Sequence, residues 1–202
     1  MTARLVALEG GEGSGKSTQA RLLAERLDAV LTREPGGTRL GEEIRRLVLE
    51  GTDDVHPRTE ALLMAAARAQ HVAEVIRPAL ESGRHVVTDR FTPSSLAYQG
   101  FGRGLDGAEI GDLSRWATGG LSADLVVLLD VPDDIRRART GKPRDRLEAA
   151  GDEFHERVIA GFRQMAARFE GSWEVVDGSG DVDTVAELVW QAWLRSERRL
   201  SA

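Results

Sequence analysis

Gly10-Gly11-Glu12-Gly13-Ser14-Gly15-Lys16-Ser17 decides the fold. An apolar run, Leu5-Val6-Ala7-Leu8, precedes it, and apolar residues at helical spacing, Ala20, Leu23, Ala24 and Leu27, follow it. The three pieces read as strand, loop and helix. The loop fits G-x-x-x-x-G-K-[ST] without a mismatch, in the context that the motif needs. Glycines let successive backbone N–H groups turn inward on phosphate oxygens, and the helix N-terminus adds partial positive charge. Gly10, Gly11, Glu12, Gly13, Ser14, Gly15, Lys16, Ser17 and Thr18 are therefore expected to cradle ATP. Lys16 is placed to reach the β- and γ-phosphates, and Ser17 to hold Mg2+. Glu12 stands out, because a carboxylate in such a cradle opposes bound anions and should point away from them. The motif fixes triphosphate binding but not the reaction.

Outward from the loop, short apolar runs alternate with longer helical patterns. Strands are expected at 5–8, 30–32, 85–88, 125–129 and 173–176. Helices are expected at 16–27, 38–49, 57–80, 106–116, 153–169 and 182–195, with Pro57 in a first turn and Pro78 an obstacle near the end of the longest. Such alternation implies parallel strands joined by right-handed crossovers and covered on both faces. Asp89, Asp130 and Asp177 each end a strand, where open α/β sheets place ligands. No repeat, low-complexity segment or linker interrupts 1–202, so one domain is expected.

Composition narrows the function. The 202 residues contain 41% hydrophobic and 30% charged residues, enough for a full core, and no cysteine. Disulfide scaffolds, Cys-ligated metals and cysteine nucleophiles are excluded. A net charge of −6 argues against nucleic-acid binding. No apolar run approaches the roughly 20 residues of a membrane span, and the quickly acidic N-terminus does not read as a signal peptide, so a cytoplasmic protein is expected. Asparagine is absent, which removes the guanine-reading Asn-Lys-x-Asp of GTPases. Asp177-Gly178-Ser179-Gly180 reads as a turn. The two lysines, Lys16 and Lys142, stand among 25 arginines. His56, His71, His85 and His155 are isolated and read as surface or helix-packing residues. Trp190 and Trp193 read as core or interface.

Asp89-Arg90 ends a strand, so Asp89 is placed to orient Mg2+ through water and Arg90 to fork a phosphate; a structural ion pair is the alternative. Met64 and Arg68, four apart, face one way on a helix. The segment 136–146 is dense in arginine and broken by Gly141-Lys142-Pro143.

Four stretches carry a resemblance. Val87-Thr88-Asp89-Arg90-Phe91-Thr92-Pro93-Ser94-Ser95-Leu96-Ala97-Tyr98-Gln99 resembles the signature segment of thymidylate kinases. Glu34-Pro35-Gly36-Gly37-Thr38, the segment 62–71 and Asp145-Arg146-Leu147-Glu148 are similar to that family too, in its order. The resemblance implies phosphoryl transfer from ATP to dTMP, giving dTDP. It implies a P-loop kinase fold, α/β, with a five-stranded parallel sheet in the order 2-3-1-4-5 and helices on both faces. It implies Mg2+, a homodimer and a lid at about 136–150. By resemblance Arg90 holds the acceptor phosphate, Glu12 faces the 3′-hydroxyl of the sugar and Arg68 bonds the thymine edge. Ser95, Tyr98 and Gln99 line the nucleoside pocket, and Tyr98 excludes ribonucleotides. Arg139 stacks on adenine, while Lys142, Arg144 or Arg146 reaches the transferring phosphoryl group. Met64 departs from the family, which places an aromatic ring there to stack on the base. Two rivals remain: a kinase for another small acceptor, and a nucleotide-dependent switch without an acceptor.

Overall fold

A computed structural model describes residues 2–50, 54–140, 145–147, 149–169 and 172–201. Five strands, β1 (Leu5–Glu9), β2 (Val30–Arg33), β3 (Val86–Asp89), β4 (Leu125–Asp130) and β5 (Trp173–Asp177), form one sheet. Their order is β2-β3-β1-β4-β5, every neighbour parallel. This is the expected order. β1 is buried along its whole length, whereas the edge strand β2 alternates between half-buried and exposed. The alternation of the pleat divides the core. Val6, Leu8, Val127 and Leu129 meet α1 (Lys16–Leu27) and α9 (Val182–Ser201) on one face. Leu5, Ala7, Val86 and Val126 face the other side, where Val72, Ile76 and Phe91 cover them.

On that second side lie α2 (Arg39–Leu49), α3 (Pro57–His71), α6 (Gly107–Thr118) and α8 (Asp152–Arg168). Thr38 caps α2 by accepting from the Gly41 N–H at 2.9 Å, and Asp106 caps α6 through Ala108 and Glu109. The helix expected over 57–80 changes register part-way. α3 passes into a π-helical stretch, Val72–Ile76, and then α4 (Arg77–Glu81). The Arg77 N–H bonds back to the Val72 carbonyl, so the ladder widens just before Pro78, which has no N–H to give. A second π stretch, Leu96–Gly102, follows the short α5 (Thr92–Ser95) and carries Tyr98 and Gln99. After β4, α7 (Asp133–Thr140) begins the expected lid. Lys142 and Arg144 lie outside the described residues. No helix among the described residues is long and apolar enough to cross a membrane.

Candidate active site

The carboxyl ends of β1, β2 and β3 open on a cavity of about 190 Å³. Glu12, Lys16, Ser17, Met64, Arg68, Asp89, Arg90, Ser95, Tyr98 and Gln99 all line it. The remaining two strand-ending aspartates do not. Asp130 is held by Arg163 at 2.9 Å, and Asp177 accepts from the Ser179 N–H at 2.9 Å to close the turn after β5.

The phosphate loop wraps above α1. Gly13 sits at φ +77°, and a Cβ there would lie 2.6 Å from the Arg136 carbonyl. Only glycine allows the loop to pass this close to α7. Arg136 supports the loop from outside, donating to the Glu12 carbonyl at 3.1 Å and to Asp133 at 2.6 Å. Lys16 curls back so that Nζ donates to the Gly11 carbonyl at 2.7 Å. Burial, and next the neighbouring Arg90, hold its pKa below the ordinary lysine value. The Ser17 hydroxyl donates to Asp89 Oδ2, while Asp89 Oδ1 is buried with no hydrogen-bond partner among the described residues.

Arg90 occupies the left-handed region at φ 75°, a strained position for a side chain this large. The turn aims its guanidinium across the cavity. It donates to Ser94 Oγ at 3.1 Å, to the Tyr98 hydroxyl at 3.0 Å and to Glu12 Oε1. Burial alone would raise the Glu12 carboxyl, but Arg90 and Lys16 outweigh it and bring it down to about 2. Glu12 thus points to Arg90 and Tyr98.

Glu9 anchors the same turn from below. It accepts from the Phe91 N–H at 2.8 Å and from the Ser94 hydroxyl at 2.6 Å, fully buried. Burial pushes its carboxyl from the usual 4.5 up to about 7, against the pull of Arg90. Between those pH values the folded chain keeps a proton that the unfolded chain has lost. This group's contribution to stability is therefore full below pH 4.5 and lost as pH rises through 7. Glu12 works oppositely, its contribution present above 4.5 and lost as pH falls toward 2. Glu9→Gln is expected to flatten the decline in stability between pH 5 and 7.5 by up to about 3 kcal/mol. Urea midpoints across that range check it, and parallel curves for the two proteins would refute it.

Another part of the cavity wall is built around Arg68, which is 4% exposed. It donates to Glu34 at 2.6 Å, to Ser95 Oγ at 2.8 Å and to the Phe91 carbonyl at 3.0 Å. Met64 packs with Tyr98 and Leu147 at the cavity wall. Gln99 donates to the buried Glu60 at 2.9 Å. The same Glu60 takes Arg103 at 3.1 Å and Arg146 at 2.5 Å. Arg146 also donates to the Val48 carbonyl, so its guanidinium is engaged with α2 and α3, away from the phosphate loop. Its two described neighbours Asp145 and Leu147 line the cavity, but Arg146 does not. Arg139 lies across the turn after β5, donating to the carbonyls of Gly178, Ser179 and Gly180 at 2.8, 3.0 and 3.1 Å.

Sequence reading gave no individual role to Glu9, Glu34, Arg45, Glu60 or Arg136. Arg45 lines the cavity and donates to the Pro35 carbonyl at 3.0 Å. Glu9 did leave a sign, as a lone acid closing an apolar strand. Arg136 left none, since its contact with the loop spans 124 positions of chain.

A phosphate loop at the carboxyl end of the central strand, an acid behind its serine and a second cationic pocket beside it define a P-loop kinase of small phosphorylated acceptors. A family profile described as Thymidylate kinase matches residues 8–189. A thymidylate kinase of Leifsonia xyli subsp. xyli is 52% identical over 189 residues, 90% of each chain. One of Pelotomaculum thermopropionicum is 45% identical over 215 residues, 98% of this chain and 100% of the relative. The crystal structure of thymidylate kinase from Ehrlichia chaffeensis superposes with a TM-score of 0.81 at 30% identity, covering 96% of this chain and 100% of that one. The chain belongs to the thymidylate kinase family, and the reaction of that family is ATP-dependent phosphorylation of dTMP to dTDP.

Proposed function

We propose that this chain carries out that reaction by positioning two phosphates and neutralising charge, with no covalent intermediate. The observation that carries the reading is a single cavity in which Lys16 and Arg90, from two different strand ends, face each other across Glu12. Lys16 and the loop N–H groups hold the ATP phosphates. Arg90 exchanges Glu12 for the acceptor phosphate, and the displaced carboxylate is left beside the sugar hydroxyl. Ser17 and Asp89 would hold Mg2+, to which Asp89 Oδ1, without a hydrogen-bond partner among the described residues, is suited. When bound, the ion neutralises charge on the β- and γ-oxygens. Lys142 or Arg144 would bring the remaining positive charge to the transferring group, since Arg146 is bonded to Glu60. Arg139 would fix the adenine side. The lid at about 136–150 belongs to the one domain of 1–202, and a cytoplasmic setting suits its substrates.

Arg68 is read as bonding a ring carbonyl of the base. Guanidinium only donates, so a carbonyl at that edge fits and an amino group does not. Among dTMP, dUMP, dCMP and UMP the expected order is dTMP first and dUMP weaker by the roughly 1–3 kcal/mol of one methyl in an apolar pocket. dCMP is expected to be rejected more strongly, and UMP to be excluded at Tyr98. Release of ADP with each acceptor checks this, and equal rates with dTMP and dCMP would end the reading. Met64 supports the base through its polarizable thioether, so Met64→Phe is expected to tighten dTMP if ring stacking can replace it.

A homodimer is supported by one feature of the surface. α2, α3 and α6 pack side by side, and Leu47, Leu62 and Trp116 on them are 62%, 59% and 81% exposed. Residues this large and apolar are left to water where a partner covers them. Sedimentation is expected to give twice the chain mass, and Trp116→Glu half of it.

A further inference from the structure

We infer that His71 is a positioning residue for base selection, acting through Glu34 on the guanidinium of Arg68. The inference rests on the reading of Arg68 as the group that bonds the base. Arg68 and His71 are three apart on α3 and face the same way. His71 is completely buried, with polar partners at both ring nitrogens. Nδ1 lies 2.9 Å from Glu34 Oε1, and Nε2 lies 2.6 Å from the Thr32 hydroxyl. A carboxylate only accepts, so Nδ1 carries a proton toward it, and Nε2 pairs with the Thr32 hydroxyl, which can donate or accept. Glu34 Oε2 then takes the Arg68 Nε–H at 2.6 Å. Thr32, His71, Glu34 and Arg68 form one continuous line from β2 to the cavity.

Packing alone does not account for this line, because an apolar side chain would fill the same space without burying two polar nitrogens. The backbone also closes around the ring. A Cβ on Gly37, at φ +76°, would lie 2.7 Å from His71 Nε2 and 2.9 Å from Thr32 Oγ1. The consequence falls on the donors of Arg68. Guanidinium has five N–H groups. Glu34, Ser95 and the Phe91 carbonyl take three of them. Two remain, on the terminal nitrogens of a side chain that lines the cavity. Their direction depends on Glu34, and Glu34 holds its angle while His71 occupies its other oxygen.

The test compares His71→Asn, His71→Gln and His71→Leu in the full chain. Asparagine puts an amide N–H near the place of Nδ1, and glutamine near the place of Nε2. His71→Asn is expected to keep KM for dTMP within about threefold of the parent. His71→Gln and His71→Leu are expected to raise that KM about tenfold or more, the effect of a lost charge-assisted hydrogen bond. They should also narrow the dTMP-over-dCMP preference in kcat/KM by a similar factor, with KM for ATP unchanged. Thermal midpoints are read for each variant. A merely structural histidine predicts activity falling in step with the midpoint, with KM and base preference intact, and that result would overturn the inference. So would a folded His71→Leu with parental preference, or equal behaviour of the asparagine and glutamine variants. Arg68→Ala separates the two levels. If it erases the preference and His71→Leu does not, only the inference fails. If Arg68→Ala leaves the preference intact, the reading of Arg68 fails, and the inference with it.

Discussion

Lys16→Ala is expected to lower kcat by about 10³-fold or more. The cause is geometric. The ammonium is already held inside the loop by the Gly11 carbonyl at 2.7 Å, and it is buried, so its charge acts in a poorly screened setting. Charge shifts onto the β–γ bridge and the γ-oxygens as the phosphoryl group moves, and Lys16 is expected to meet it from within the loop. Removing one such preorganised donor alone costs about 10² to 10³ in rate. Lys16 is also a full charge, and Arg90 is turned to the acceptor side. Lys16→Met, which keeps most of the stem, separates lost charge from lost packing and should fall nearly as far. Single-turnover transfer from ATP to dTMP is the measurement. A folded Lys16→Ala protein with near-parental turnover would sink the assignment.

Arg90→Ala is expected to weaken dTMP by about 3 kcal/mol, near 10²-fold, and to leave ATP affinity little changed. Four contacts aim this guanidinium, three at the side chains of Ser94, Tyr98 and Glu12 and one at the Gly10 carbonyl. Without Arg90, Glu12 loses the larger of its two cationic neighbours and stands as a half-buried carboxylate beside the incoming phosphate, so repulsion adds to lost attraction. Alanine at φ 75° is strained as well, so Arg90→Gly serves as the partner variant that relieves the backbone. Both should lose dTMP alike if the guanidinium matters, while a recovery in glycine would assign the effect to the turn. Calorimetric titration of each nucleotide separately decides it, and loss of ATP with dTMP intact would reverse the roles.

By itself the sequence determined whatever is local or periodic. The phosphate loop was legible because eight consecutive residues carry its chemistry between a strand and a helix. The parallel class followed from short apolar runs alternating with longer helical patterns. The strand order did not follow from these patterns; it entered through resemblance, as did the roles of Arg68, Ser95, Tyr98 and Gln99. All three strand-ending aspartates sit where open α/β sheets place ligands, and the tertiary contacts show which of them lines the cavity. β3 and β4 both flank β1, yet Asp89 meets Ser17, whereas Asp130 and Asp177 turn to Arg163 and Ser179.

Tertiary structure alone decided the supporting contacts, because they join residues far apart in the chain. Glu9 reaches Ser94 across 85 positions, and Glu34 reaches His71 across 37. His71 read as a packing residue because a single histidine on a helix carries no partner in its own sequence neighbourhood. Its partners come from β2 and the loop after it, and only the closing of that loop over α3 makes the ring polar on both sides. Arg146 shows the same limit from the opposite direction. A basic run suggested a phosphate ligand, but Glu60, fully buried on α3, requires cations to neutralise it, and folding supplies Arg146 and Arg103. Pattern reports which side chains have chemistry to offer; burial decides which of them are free to offer it to a substrate.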